Sequence, residues 1–322
     1  MARRKAVTSA GFVNVFEAVA ANVGHALAGK QEAIRLALVC FAAGGHLLIE
    51  DVPGVGKTTL AKALAASFDC EWNRIQFTPD LLPSDVTGVT VFSRTGNRFE
   101  FRPGGVFANI VLADEINRAS PKTQSALLEA MEERQVTVDS TTYPLPDPFM
   151  VIATQNPVEH EGTYPLPDSQ LDRFLLRIRM GYPGRRAEIE MLEDHATSDP
   201  VVELGAVADA SDVIQLIDGA REVHVAKALR AYIVDLAEAT RRHPSLALGA
   251  SPRAALAVQR TARAWAAAEG RDFTAPDDVK SIAGPVLEHR LLLSPEAELD
   301  GLTAQDVLDE ILSKVAVPAA RA

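Results

Sequence analysis

The stretch that most narrows the possible folds is Leu47-Leu48-Ile49-Glu50-Asp51-Val52-Pro53-Gly54-Val55-Gly56-Lys57-Thr58-Thr59. Its apolar lead-in reads as a buried parallel strand. Behind it, Leu60-Ala61-Lys62-Ala63-Leu64-Ala65-Ala66 is rich in strong helix formers. Strand, glycine turn, Lys-Thr and helix, in that order, is the setting a phosphate-binding loop needs. Gly54 and Gly56 let the backbone wrap close to an anion, so that successive N–H groups and the helix N-terminus point at it. Lys57 adds a mobile cation for the outer phosphates, and the Thr58 hydroxyl suits a magnesium ion. The run from Asp51 to Thr59 is therefore the expected phosphate cradle. Asp51 departs from the G-x-x-x-x-G-K-[ST] pattern, which has glycine there. Asp tolerates unusual backbone angles better than most residues, so the turn stays open to it.

A second chemical stretch is Asn109-Ile110-Val111-Leu112-Ala113-Asp114-Glu115. An apolar run ending in Asp-Glu puts two carboxylates at the carboxyl end of a parallel strand, where open α/β sheets bind their ligands. Alone, the pair would suit a strand end capped by solvated acids. Downstream of a phosphate loop, Asp114 is expected to hold magnesium, and Glu115 to orient or deprotonate an attacking water. Another buried strand, Phe149 to Thr154, ends in Gln155-Asn156-Pro157. The Asn156 amide would meet that water or the terminal phosphate, or else cap a turn. Arg173, before the apolar strand Leu175 to Met180, reads as a surface ion-pair partner or as a cation for a neighbouring copy's nucleotide.

Between these elements, residues 11 to 43 read as two helices parted at Ala28-Gly29-Lys30, and Glu71 to Phe77 as a strand. Residues 78 to 105 form a proline-punctuated surface excursion with hairpin-like alternation. Ser120-Pro121 starts a helix running to about Arg134, and a hairpin is expected around Asp139.

Taken together, Val52 to Thr58, Asp114-Glu115-Ile116-Asn117-Arg118-Ala119, Ala153-Thr154-Gln155-Asn156-Pro157, Tyr164-Pro165-Leu166-Pro167 and Leu171-Asp172-Arg173-Phe174 resemble the MoxR family of AAA+ ATPases. The likeness is specific over about residues 27 to 182 and weaker beyond. It implies a P-loop α/β core whose parallel five-stranded sheet has the order 5-1-4-3-2, a helix-2 insert near residues 78 to 105, and a hexameric ring. It also implies ATP with magnesium, Asn156 as sensor 1 and Arg173 as the arginine finger. A chaperone-like remodelling role follows, often with a partner carrying a von Willebrand factor A domain. The runner-up activities are a DNA-translocating or chelatase-type AAA+ motor and a nucleotide-gated scaffold with little turnover.

The chain of 322 residues exceeds one typical domain. Gly181-Tyr182-Pro183-Gly184 punctuates it, giving an expected nucleotide-binding unit at 1–182 and a small all-α lid at 183–322. Lid helices are expected at Arg186 to Ala196 and Ala226 to Arg242. Another starts with Thr274 and Asp277 and is kinked or broken at Gly284-Pro285; a further one starts with Thr303 and Asp306. In Ser251-Pro252-Arg253, a cation sits at a helix N-terminus, where the dipole disfavours it by roughly 0.3–1 kcal/mol. An anion nearby would offset that cost. The position matches sensor 2 of the family, touching nucleotide from the lid.

A formal net charge of -11 argues against a broad nucleic-acid surface. Cys40 and Cys70 sit in apolar surroundings and read as reduced core thiols of a cytoplasmic protein. No signal peptide or membrane-length apolar run is visible, since Met1–Lys5 is basic but the following stretch carries Asn14 and Glu17. The alanine-rich tail from Pro318 to Ala322 reads as frayed.

Overall fold

Each apolar run flanking the phosphate loop and the carboxylates becomes a strand of one sheet in the computed structural model, which describes residues 8–94, 96–157, 163–194 and 200–318. The basic start, the last part of the expected 186–196 helix and residues 319–322 of the tail lie outside the described residues. Two helices open the chain, α1 (Ser9–Ala26) and α2 (Gln31–Ala42), parted at the expected turn. They are followed by β1 (Leu47–Glu50), α3 (Lys57–Ser67) and β2 (Trp72–Gln76). The excursion then holds a short α4 (Pro83–Thr87) and the hairpin β3 (Gly88–Ser93) with β4 (Arg98–Pro103). Next come β5 (Ile110–Asp114), α5 (Pro121–Glu133), the hairpin β6 (Gln135–Val138) with β7 (Thr141–Pro144), β8 (Met150–Gln155), α6 (Asp168–Leu171) and β9 (Leu176–Ile178).

The sheet runs β2-β5-β8-β1-β9 with every pairing parallel. Counting only its five strands in chain order gives 5-1-4-3-2, the order the resemblance implies. Alternate residues serve two layers, because successive side chains of a strand point to opposite faces. Leu47, Ile49, Ile110, Leu112, Met150 and Ile152 enter one core with α1, α2 and α3. Leu48, Val111, Ala113, Val151 and Ala153 enter the other, against Leu127, Leu128 and Met131 of α5. Cover on both faces is why these strands read as unbroken apolar runs. Register aligns their carboxyl ends: Glu50 pairs with Gln155, and Gln76 with Asp114.

β9 is shorter than the expected Leu175–Met180 strand. The N–H of Met180 goes to the Asp51 carboxylate and leaves the ladder. Beyond it lie α7 (Arg185–Asp194), α8 (Ala210–Glu222), α9 (Lys227–Arg242), β10 (Leu246–Leu248), α10 (Pro252–Ala268), α11 (Pro276–Leu287), β11 (Leu292–Leu293), α12 (Pro295–Leu299) and α13 (Ala304–Lys314). Among its described residues the lid is helical apart from a single bridge between His224 and Phe273 and the antiparallel pair β10–β11, which the sequence reading did not anticipate. The α11 start also differs. Thr274 donates its N–H to the His224 carbonyl, so the cap falls to Ala275, whose N–H goes to Asp278. Pro285 lies within α11, which continues through it to Leu287. Ser120, Ser251 and Thr303 cap α5, α10 and α13 as expected.

Packing crosses the expected boundary at residue 182. Phe12, Phe16 and Val19 of α1 and Ala37 of α2 share one apolar core with Val213 and Leu216 of α8 and Ala254 and Val258 of α10. The Arg35 guanidinium lies 5.4 Å from the Phe16 ring centre and 5.2 Å from that of Trp265. Arg260 of α10 donates to the Ala43 and Gly44 carbonyls beyond α2, and Arg134 donates to Gly44 O at 2.8 Å. Arg290, 8% exposed, bonds Asp172 Oδ1 at 2.6 Å and the Phe174 carbonyl at 2.6 Å. Cys40 and Cys70 are both free, and burial pushes the Cys40 thiol up to about 12. Among the described residues no helix is long and apolar enough to cross a membrane.

Candidate active site

Gly54 and Gly56 have φ of 84° and 96°, the left-handed region that glycine enters without strain. A Cβ on Gly56 would also stand 2.7 Å from Leu27 Cδ2, so the loop needs glycine there twice over. With the turn made, α3 begins at Lys57 and its first residues line a cavity of about 610 Å³. That size lies within the usual range for small-molecule sites.

The cavity wall carries Pro53 to Thr59 from the loop, Asp114 and Glu115 from the end of β5, and Asn156 from just past β8. Three strand ends thus deliver the expected groups to one place. Most of its remaining wall comes from His25 to Ala28, which span the end of α1 and the start of its connection to α2, from Lys30, and from Tyr182, Pro183, Ala187, Glu188 and Pro200 after β9.

Asp51 and Val52 do not line the cavity. Asp51 has no positive φ, so the position places no demand for glycine on the backbone. Asp51, expected in the cradle as a tolerated turn residue, thus needs no unusual backbone angle. Its carboxylate instead accepts the Val52 N–H at 2.8 Å and the N–H groups of Met180 and Gly181 at 2.7 and 2.6 Å. Lys57 Nζ donates to the Asp51 carbonyl at 2.7 Å.

Asp114 is 8% exposed and hydrogen-bonded at both oxygens. Its Oδ1 accepts the Thr154 hydroxyl at 2.5 Å, and its Oδ2 accepts Arg74 Nε at 3.1 Å and Nη2 at 2.6 Å. The same Thr154 oxygen accepts the Glu115 N–H at 2.9 Å. Glu115 has φ of 55°, an uncommon angle for a residue with a side chain. Its Oε2 accepts Gln76 Nε2 at 2.9 Å and Arg118 Nη1 at 2.9 Å. Asn156 is 6% exposed. Arg74, Gln76 and Thr154 are contributors the sequence reading missed. The one available signal was polar residues alternating at Arg74 and Gln76 on a strand that enters beside the Asp-Glu pair.

The residues fit a magnesium ion. The Thr58 hydroxyl and the Asp114 carboxylate share one cavity, both are hard oxygen donors, and magnesium takes few protein ligands beside water and phosphate. Asp114 Oδ1, which accepts one of the bonds above, keeps acceptor capacity beyond it.

Arg173 and Arg253 do not line this cavity. They meet in a different hollow, where Glu132 of α5 holds both: Arg173 Nε lies 3.3 Å from Oε2, and Arg253 Nη1 lies 2.9 Å from Oε1. Arg253, expected to touch nucleotide from the lid, stands instead on Glu132 in this structure. The start of α10 packs beside α5 and Asp172, away from the phosphate loop.

Residues 46–176 match the ATPase family associated with various cellular activities (AAA), and residues 238–311 match the AAA lid domain. The chain is 50% identical to the YeaC protein of Bacillus subtilis, over 93% of its own length and 94% of that protein's. It is 40% identical to Chaperone MoxR1 of Mycobacterium tuberculosis, over 95% of this chain and 83% of the other. Protein MoxR of Paracoccus denitrificans is 32% identical over 91% of this chain and 93% of its own. A crystal structure of a Cytophaga hutchinsonii protein, 40% identical, superposes with a TM-score of 0.90 over 97% of each chain. Likeness that runs through sheet, insert and lid alike makes this chain a member of the MoxR family of AAA+ ATPases.

Proposed function

We propose that the chain hydrolyses ATP with water and magnesium, and couples turnover to chaperone-like remodelling of partner proteins. The observation that carries this reading is the convergence of the loop, Asp114-Glu115 and Asn156 on one cavity from three strand ends. In this reading the loop N–H groups and Lys57 hold the phosphates, and Thr58 and Asp114 would hold magnesium, which supplies charge neutralisation at the phosphate oxygens. Glu115 accepts a proton as the water oxygen attacks the γ-phosphorus, and the bond to the β–γ bridging oxygen breaks. Asn156 orients the water or the γ-phosphate.

The Arg173 and Arg253 pair belongs, in the same proposal, to the next copy's nucleotide in a closed ring of six. Both guanidiniums sit away from their own cavity, on a carboxylate they would exchange for phosphate oxygens. The chaperone designation of the MoxR1 relative supports the remodelling role. A partner bearing a von Willebrand factor A domain is the proposed companion, residues 1–182 the nucleotide-binding unit and 183–322 the lid.

Phosphate release and nucleotide binding test this directly. Lys57→Ala is expected to abolish ATP binding. Glu115→Gln is expected to bind ATP as the parent does while kcat falls by roughly a hundredfold or more, the scale of a lost general base. Full turnover in Glu115→Gln would remove that residue from its role, and undiminished binding in Lys57→Ala would empty the cavity of its assignment.

A further inference from the structure

The Asp51 carboxylate is spent on one backbone turn, and that turn is gripped from its other side as well. Asp51 Oδ2 accepts the N–H groups of Met180 and Gly181. Lys30 Nζ donates to the carbonyls of the same two residues, at 2.9 and 2.6 Å. Lys30 is 6% exposed, so its ammonium is committed to this contact, with Asp51 its opposing charge. Gly181 has φ of 63°, which shapes the turn so that both peptide edges are presented. Lys57, from the phosphate loop, completes the chain of contacts through the Asp51 carbonyl.

These contacts join three parts of the cavity that are far apart in sequence. Lys30 closes the α1–α2 connection, which with the end of α1 supplies residues 25–28 to one side of the remaining wall, and Tyr182 and Pro183 directly follow the gripped turn to form the other. The two sides also touch each other, because a Cβ on Gly29 would stand 2.7 Å from Ala187 Cβ. If the phosphates of a nucleoside triphosphate occupy the loop, this wall is the cavity surface left for its nucleoside. Asp51 fastens that wall to the loop through polar contacts, beside the apolar approach of Leu27 to Gly56.

We infer that Asp51 is a positioning residue: with Lys30 it sets the nucleoside wall at a fixed reach from the phosphate cradle, so that the site selects a nucleoside triphosphate over bare polyphosphate. This rests on the cavity taking ATP. Glycine at position 51 would complete the textual motif without any backbone need for it, yet it would release the wall. Restoring the motif should therefore impair the site.

The test is calorimetric titration of the full chain, with magnesium present, using ATP and inorganic tripolyphosphate separately. In Asp51→Gly, ATP affinity is expected to fall by roughly tenfold or more while tripolyphosphate affinity stays within roughly threefold, since only the former uses the wall. Lys30→Met should show the same split, and the double variant should be no worse than the worse single, because both act through one turn. Asp51→Asn, which keeps one acceptor for two N–H groups, should fall between. Equal loss for both ligands, or ATP affinity unchanged in Asp51→Gly, overturns the inference. Should Asp51→Gly lose its cooperative melting, Lys30→Met and Asp51→Asn decide the matter by the same ratio, and an unchanged ratio in both overturns it. Parent protein that ignores ATP would sink the ATPase reading itself, a result distinct from any of these.

Discussion

At Thr154 a single hydroxyl serves two neighbours, donating to Asp114 and accepting the Glu115 N–H. Thr154→Val keeps the shape and removes both bonds in a fully buried place. The expected cost is about 1–3 kcal/mol of stability in urea unfolding, the range for orphaning a buried polar partner. A kcat reduced roughly tenfold or more should accompany it, because two carboxylates lose their shared support. Unaltered turnover in the valine variant would show that Asp114 and Glu115 are held by other means. The residues that were legible in sequence, such as Lys57, Asp114 and Asn156, announce themselves through local context: a turn, a strand end, an apolar lead-in. Arg74 and Thr154 do not, since their meaning lies in Asp114, 40 positions away from each. Asp51 was legible as an exception but not as a function, because its partners lie 129 and 130 positions downstream.

Elements are fastened to one another by buried neutral groups as well as by apolar faces. His46 enters β1 with Nε2 3.0 Å from the Met131 carbonyl of α5, while its Nδ1 accepts the Val151 N–H of β8 at 3.0 Å. The second bond requires the neutral ring, because a protonated Nδ1 cannot accept. Burial first, and the Arg134 charge second, push its pKa down to about 3. The unfolded chain takes up this proton near pH 6.5, so between those values the unfolded state binds more protons and stability falls as pH drops. His46 alone should lower unfolding free energy by about 2 kcal/mol between pH 7 and pH 5, at 1.36 kcal/mol per unit below 6.5. His289, also buried and lowered, acts in the same direction. Urea midpoints at the two pH values, in the parent and in His46→Gln, read this; an equal acid loss in both would clear His46 of it. Helix starts with Ser or Thr caps were readable at this scale, as α5, α10 and α13 show. The β10–β11 pair and the start of α11 were not, since long-range pairing rather than local propensity placed them.

For the whole molecule the question is which parts act within one copy and which across copies. Arg173→Ala is expected to bind ATP yet hydrolyse it poorly. Mixing it with Lys57→Ala should restore part of the activity if the guanidinium serves the adjacent copy, and no recovery at any ratio would confine it to its own chain. The sheet order was foreseeable from family likeness, whereas the sharing of one core between α1, α2 and the lid was not, because apolar stripes do not name their partners. That sharing has a mechanical consequence. The lid cannot swing freely about Gly181 without tearing Phe12 and Phe16 from their neighbours and stripping Arg260 from the carbonyls beyond α2. The chain should therefore travel as one stiff block rather than as two bodies hinged at Gly181. A fragment ending at residue 182 should come out sticky and aggregate during gel filtration, whereas the intact chain should elute cleanly.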